Sequence, residues 1–300
     1  MGKGYVIKRI LYTIFIFFVV ITLNFFIPRI GVEDPAERYY PAQGNMTDIE
    51  YDIIKQLTRE QYGFDVSTFQ QYLRYLNQLM HGDLGTSLQA GSPKVIDLIA
   101  ERVPWTLVLS ASTMLIGVVF GILIGALCGY YGGMIDGVVM RLCDAVTAFP
   151  SILLAMVVIA LTGPGTYNVI AALGILFIPS FARLVRGEFI KYRGRDFVQA
   201  AKLAGVSDFR IIFVHILPNT WSVLLSGLTI GFNNAVLSEA SMSFLGIGVG
   251  PADASLGRML SEAQGYLFSA PWCTVFPALI VVLIILGIGM LGEGIRERVG

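Results

Sequence analysis

Apolar runs of membrane-spanning length recur along this chain, and they constrain its fold more than any motif does. Six are legible: Ile10–Ile27, Trp105–Cys128, Gly137–Leu161, Asn168–Val185, Trp221–Leu245 and Val275–Leu291. A helix of about 20 residues crosses a hydrocarbon core of roughly 30 Å, and these runs sit near that length. Composition agrees, since 55% of the 300 residues are hydrophobic, only 14% are charged, and mean hydropathy is +0.70. Such a chain is too apolar for a soluble protein of this size. The expectation is an all-α integral membrane protein with six transmembrane helices.

Charge placement orients the spans. Lys3, Lys8 and Arg9 precede the first run, which places the N-terminus in the cytoplasm. A cleaved signal peptide is rejected, because the run is long and aromatic-rich and ends in Asn24, Pro28 and Arg29 without a small-residue cleavage motif. Residues 1–28 thus form the N-terminus and first span, 29–103 an extracytoplasmic loop, and 104–300 a five-span core with an insert at 187–219. The loop is too long for a bare turn. Asp48–Tyr62 and Thr68–Met80 read as amphipathic helices, the second through Phe69, Tyr72, Leu73, Leu76 and Leu79, and Gly82–Gly85 reads as a turn.

In the core, Pro104 is expected in the first turn of the second span, where a missing N–H costs nothing. Gly117, Gly121 and Gly125 recur at every fourth position, a small-residue stripe that favours close helix packing over pore lining. Gly129–Gly133 is expected as a turn, Arg141 and Asp144 as a pair three residues apart, Phe149-Pro150 as a kink, and Thr162–Thr166 as a tight outer turn. The fifth run carries Asn233, Asn234, Ser238, Glu239, Ser241 and Ser243. Polar groups at that depth face a bundle interior or a water-filled path. Asn233, Asn234 and Glu239 are therefore candidates for a translocation path or gate, with Glu239 bonding neighbouring helices near the outer end as the alternative. Pro251–Trp272 forms a second outer loop with a short helix around Leu256–Leu267. Cys128, Cys143 and Cys273 lack metal or redox spacing and read as small buried hydrophobes. No catalytic or metal site is expected, His81 and His215 being far apart without ligand-like neighbours.

Between the fourth and fifth runs lies the one long polar-punctuated stretch of the second half, DFVQAAKLAGVSDFRIIFVHILPN. Arg183, Arg186, Lys191, Arg193, Arg195, Lys202 and Arg210 cluster around it, which puts it in the cytoplasm, together with both termini. Asp196 and Gln199 are spaced as a capping box that starts a helix. Gly205 can end that helix in the left-handed conformation, Ser207 or Asp208 can cap a second, and Pro218 should stop the second near Leu217. The small residues Ala200, Ala201 and Ala204 leave a face that another protein can approach closely; a surface hairpin without a partner is the plainer alternative.

Gln199-Ala200-Ala201, then Gly205, Ile211 or Ile212, and Leu217-Pro218 resemble the cytoplasmic signature, the EAA loop, of membrane subunits of binding-protein-dependent ABC importers. The family's usual acidic first residue is Gln199 here, which keeps capping capacity and loses the charge. Gln61 to Asp65, Gln71-Tyr72-Leu73 and Gly82 to Ser87 are similar to the outer loop of first-type subunits of the peptide branch, which also includes nickel systems. Glu239-Ala240-Ser241, Phe244-Leu245-Gly246 and Gly248 resemble second-type subunits instead. The resemblance implies a type I importer permease fold and a prokaryotic inner-membrane location. It also implies a translocation path for peptides or similar small solutes. Asp196, Gln199, Ala200, Ala201, Ala204, Gly205, Leu217 and Pro218 would then be the ATPase-coupling residues. Implied partners are a second permease subunit, homologous or identical, two cytoplasmic ATPases, an extracytoplasmic substrate-binding protein and membrane lipid, with no nucleic acid. The chain has no nucleotide-binding loop ending in Gly-Lys-Ser or Gly-Lys-Thr, so ATP and Mg belong to partner subunits and the chain is not itself an enzyme. A stand-alone secondary transporter and a scaffold docking a non-ATPase partner are the rival readings, the first disfavoured by the lack of an evident inverted repeat.

Overall fold

The computed structural model describes residues 15, 18–23, 25–26, 47–62, 66–87, 93–250, 253–267 and 270–299. The basic N-terminal flank, most of the first run, the stretch Gly63–Asp65 and Pro251 lie outside these residues. The described structure is helical, with a single isolated antiparallel bridge between Thr86 and Lys94. Two compact units emerge, one from residues 1–100 and 262–278, the other from 101–261 and 279–300.

The first unit holds α1 (Asp48–Tyr62) and α2 (Thr68–Met80), close to the expected bounds. Thr47 and Glu50 close a capping box on α1: Thr47 N–H donates to Glu50 Oε2 at 3.0 Å and Glu50 N–H to Thr47 Oγ1 at 3.4 Å. The turn after α2 forms as expected. Gly82 has φ +77, and Asp83 N–H returns to the Gln78 carbonyl at 3.0 Å while Asp83 Oδ1 accepts from Gly85 N–H at 2.9 Å.

Spanning helices follow in the second unit and at its borders. These are α3 (Val95–Tyr131), a bent pair α4 (Gly133–Thr147) and α5 (Ser151–Thr162), α6 (Thr166–Arg193), α8 (Trp221–Phe244) and α10 (Trp272–Val299). Between them lie α7 (Asp196–Leu203) and α9 (Leu256–Ala263). Among the described residues four helices are long and apolar enough to cross a membrane, five if the bent pair counts as one.

Several boundaries differ from the sequence expectation. Pro104 is inside α3, because the amphipathic stretch before it is helical from Val95 onward. The carbonyl it frees belongs to Ala100, which is exposed and needs no protein partner. The turn at Gly129–Gly133 shrinks to Gly132 and the first residue of α4, Gly133, whose φ values of +69 and +65 break the helix between α3 and α4. At Phe149-Pro150 the third span does more than kink: α4 and α5 meet at 86°. The outer turn after α5 forms, with Asn168 Nδ2 donating to the Thr162 and Gly163 carbonyls at 3.0 Å each.

The glycine stripe is a helix interface, as expected. A Cβ at Gly117 would lie 2.8 Å from Phe177 Cβ, one at Gly121 would meet Phe181 Cβ, and one at Gly125 the Ala182 carbonyl. Gly129 extends the seam to Phe189. Thus α3 and α6 lie backbone to backbone, the geometry that compensates in lipid for the missing hydrophobic drive between helices. Cys128, Cys143 and Cys273 are all buried thiols.

Candidate functional site

The basic insert begins where α6 ends. Because α6 runs on to Arg193, only Gly194 and Arg195 separate it from α7, and Arg195 occupies the N-cap position without a side-chain cap bond. The capping box expected at Asp196 and Gln199 therefore does not form. Asp196 is the first helical residue, where its charge still favours the helix N-terminus. Gln199 Nε2 donates instead to the Arg193 carbonyl at 3.4 Å, tying α7 to α6. Gly205 closes α7 as expected, with φ +74. Gly205 N–H bonds the Lys202 carbonyl and Val206 N–H the Ala201 carbonyl, both at 3.0 Å, a complete Schellman motif.

The second half of the insert departs from expectation at Leu217 and Pro218. A single turn, Asp208–Arg210, passes into a π-helical segment Ile211–Ile216 and a 3-10 segment Leu217–Thr220, then directly into α8. Leu217 keeps helical angles, φ −53 and ψ −44, and its N–H reaches back five residues to the Ile212 carbonyl. The wider turn makes room for the proline ring, so the chain from Asp208 to Phe244 is one long helical rod.

The insert has two unlike faces. Val198 is fully buried in a cluster with Ala126, Tyr130, Val185, Phe189, Ile211, Ile212, Ile216 and Leu224, and Ala201 packs against that cluster. Ala200, Ala204 and Gly205 are exposed on the other side with Leu203, which is 90% accessible. Phe209 is 72% accessible. Of the three alanines, then, only Ala200 and Ala204 lie on the open face.

Polar ties fasten the insert to the bundle. Tyr130 at the end of α3 donates its hydroxyl to Asp208 Oδ1 at 2.5 Å, and the Lys202 ammonium stands 4.8 Å from the Tyr130 ring centre. Arg193 Nη1 donates to the Gly129 carbonyl at 3.3 Å. One layer deeper, Arg186 forks onto both oxygens of Asp136 at 2.5 and 2.7 Å. Neither the Tyr130–Asp208 nor the Asp136–Arg186 pairing was read from the sequence, where Asp208 figured only as a helix cap and Arg186 only as one of the basic cluster. The partners lie 50 to 78 residues apart, and no local spacing signals such a pair.

Among the path candidates, Asn234 alone lines a cavity of about 660 Å³ bounded by α4, α5, α6 and α8, with Thr147, Ser180, Arg183 and Ser238 as polar neighbours. Asn233 points toward α10, its Nδ2 being 3.8 Å from where a Cβ on Gly289 would lie. Glu239 is 1% accessible, and its Oε1 accepts from Ser243 Oγ within the same helix at 2.8 Å. At the cavity rim Asp144 pairs with Arg183 at 3.2 Å, rather than with Arg141 as the helical spacing suggested.

Comparisons with known proteins bear on this arrangement. Residues 121–299, more than half of the chain, match the model of the family described as binding-protein-dependent transport system inner membrane component. The dipeptide transport system permease protein DppC of Alkalihalophilus pseudofirmus is 41% identical over 179 residues, 60% of this chain and 59% of that protein. The glutathione transport system permease protein GsiD of Escherichia coli is 42% identical over 210 residues, 67% of this chain and 69% of that protein. The aligned part thus spans about three-fifths of the DppC relative's length. In fold, the chain is similar to a structure of the MetNI methionine ABC transporter in inward-facing conformations. The TM-score is 0.58 and the identity 20%, covering 68% of this chain and 97% of that one. A crystal structure of an amino acid ABC transporter with histidines aligns with TM-score 0.55 and 20% identity, covering 68% and 94%. Both support the all-α permease architecture.

Proposed function

This chain belongs to the family of binding-protein-dependent transport system inner membrane components, and from that premise we propose that it is a permease subunit of an ABC importer for peptides or similar small solutes. The relatives named for dipeptide and glutathione transport support the substrate class, glutathione being itself a tripeptide. A second permease subunit, two cytoplasmic ATPases carrying ATP and Mg, and an extracytoplasmic binding protein complete the assembly. A component of a transport system, as the family is described, is not a stand-alone transporter or an unrelated scaffold. The basic cluster from Arg183 to Arg210 supports a cytoplasmic insert, and Lys3, Lys8 and Arg9 with an even number of spans support cytoplasmic termini.

One observation carries the coupling role. The insert leaves Ala200, Leu203, Ala204 and Gly205 open while its other half is continuous with the rod Asp208–Phe244, whose residues Gly227, Ile230, Asn234 and Leu237 wall the cavity. A push on the open face therefore has a stiff route to the cavity wall. Two nucleotide states that hold the insert differently would bias two arrangements of that wall. Leu217 and Pro218 act here by carrying the helix through the membrane surface, and Asp196 and Gln199 by setting the angle of α7 on α6.

A Leu203→Cys variant tests the reading. In the assembled complex its disulfide crosslinking to cysteines along the partner ATPase is expected to change with ATP. Complete absence of crosslinks in a verified complex would overturn the coupling role.

A further inference from the structure

Helix α2 carries three distinct sectors. At 100° per residue, Phe69, Leu73, Leu76 and Met80 fall within about 60° of one another. Phe69, Leu73 and Met80 are 66%, 48% and 79% accessible, so this stripe is an uncovered apolar ridge. Gln70, Arg74, Asn77 and Gln78 make an exposed polar sector beside it. The third sector packs on the end of the first apolar run. Tyr72, which is buried, shares a hydrogen bond of 2.7 Å with Thr22 Oγ1, and its ring lies 5.2 Å from Phe25 and 5.3 Å from Phe26. Tyr75 stacks on Phe25 at 5.5 Å.

Those contacts set the height of the helix. Thr22 stands five residues before the end of the run at Ile27, about 7.5 Å at 1.5 Å per residue. A helix whose tyrosine reaches that far down the run has its axis near the boundary of the hydrocarbon. The run on which α2 packs is itself exposed at Phe15, Phe18, Leu23 and Phe26, as a spanning segment facing acyl chains would be. An amphipathic helix seated in the interface buries its apolar face about 5–10 Å into the headgroup and acyl boundary, which matches this height. We propose that α2 is an interfacial helix whose Phe69–Leu73–Leu76–Met80 ridge is immersed in the bilayer, with Gln70, Arg74 and Asn77 in the headgroup layer. The ridge is covered by lipid and not by a partner protein, and the inference is independent of what the transporter carries.

The full chain in proteoliposomes of phosphatidylcholine and phosphatidylglycerol supplies the test. In a background of Cys128→Ala, Cys143→Ala and Cys273→Ala, single Phe69→Cys, Leu73→Cys, Met80→Cys, Gln70→Cys and Asn77→Cys variants carry an environment-sensitive NBD label. Nitroxide lipids are expected to quench positions 69, 73 and 80 at least twofold more than positions 70 and 77, and aqueous iodide the reverse. Equal iodide quenching on both sectors would mean that the ridge stands in water and would overturn the proposal. Protection of the ridge from both quenchers would overturn it too, in favour of a protein cover. The three ridge positions report independently, so one variant lost to misfolding leaves the result readable.

Discussion

A methyl group at Gly121 or Gly125 has nowhere to go, because Phe181 Cβ and the Ala182 carbonyl already occupy its place. Adding volume to a closed seam forces the two backbones apart, at about 1–3 kcal/mol per site. Gly125→Val is therefore expected to lower the thermal midpoint of the detergent-solubilised protein, read by intrinsic fluorescence. Gly187→Ala on the neighbouring helix meets nothing within 4 Å and should leave it unchanged or slightly raised. Glu50 makes a second single-residue test. The Thr47 backbone N–H, and then the Thr47 hydroxyl, hold its carboxyl below the ordinary glutamate value of 4.5. A depressed folded value means that the capping contribution is fully present above that ordinary value and is lost as pH falls through the folded one. Amide protection in the first turn of α1, taken relative to the intrinsic exchange rate at each pH, should thus fall in acid below about pH 4.5, and Glu50→Gln should remove that pH dependence.

At the scale of elements, the insert works as a stiff hairpin held at three points: the Gln199 tie to α6, the Schellman turn at Gly205, and the Tyr130–Asp208 bond to α3. Losing the Tyr130 hydroxyl forfeits roughly 1 to 2 kcal/mol of that attachment while leaving the ring in the cluster. Tyr130→Phe is expected to keep ATP hydrolysis by the assembled complex and to reduce solute uptake into proteoliposomes several-fold; parallel losses of both would argue for misassembly instead. Gly205 separates conformation from surface chemistry. Alanine resists the left-handed angles and asparagine tolerates them, so Gly205→Ala should impair uptake while Gly205→Asn largely preserves it. The glycine's role was legible in the sequence because it depends on local sterics. The Asp196–Gln199 box was not, since its outcome depended on how far α6 extends, while the capping box that does form, Thr47 with Glu50, opens a helix whose start alone had been noted.

Across the whole molecule, what periodicity and hydropathy can report came through: the helical class, the placement of the apolar runs that lie within the described residues, the basic insert, and the glycine seam between α3 and α6. What depends on tertiary geometry did not. Asp144 chose Arg183 over Arg141 because α4 and α6 face each other across the cavity rim, and Asn234 separated from Asn233 and Glu239 because at 100° per residue the three positions leave one helix in three directions. The largest surprise is Pro218, read as a stop and found inside a rod of 37 residues. A π-helical segment followed by a 3-10 segment can be a hinge or merely an accommodation of the proline ring. The packing favours accommodation, since Ile211, Ile212 and Ile216 are buried in one cluster with Val198 and Leu224 on either side of the irregular stretch. Spin labels at Phe209→Cys and Leu237→Cys, both exposed positions, bracket it. They stand about 40 Å apart along a helix of 28 residues. In the assembled complex the distance distribution is expected to stay centred within about 2 Å with and without ATP, while a pair joining Phe209→Cys to the partner ATPase changes. If instead the Phe209–Leu237 distance shifts with nucleotide, the irregular stretch is the hinge, and the cavity wall moves by bending of the rod and not by its tilt.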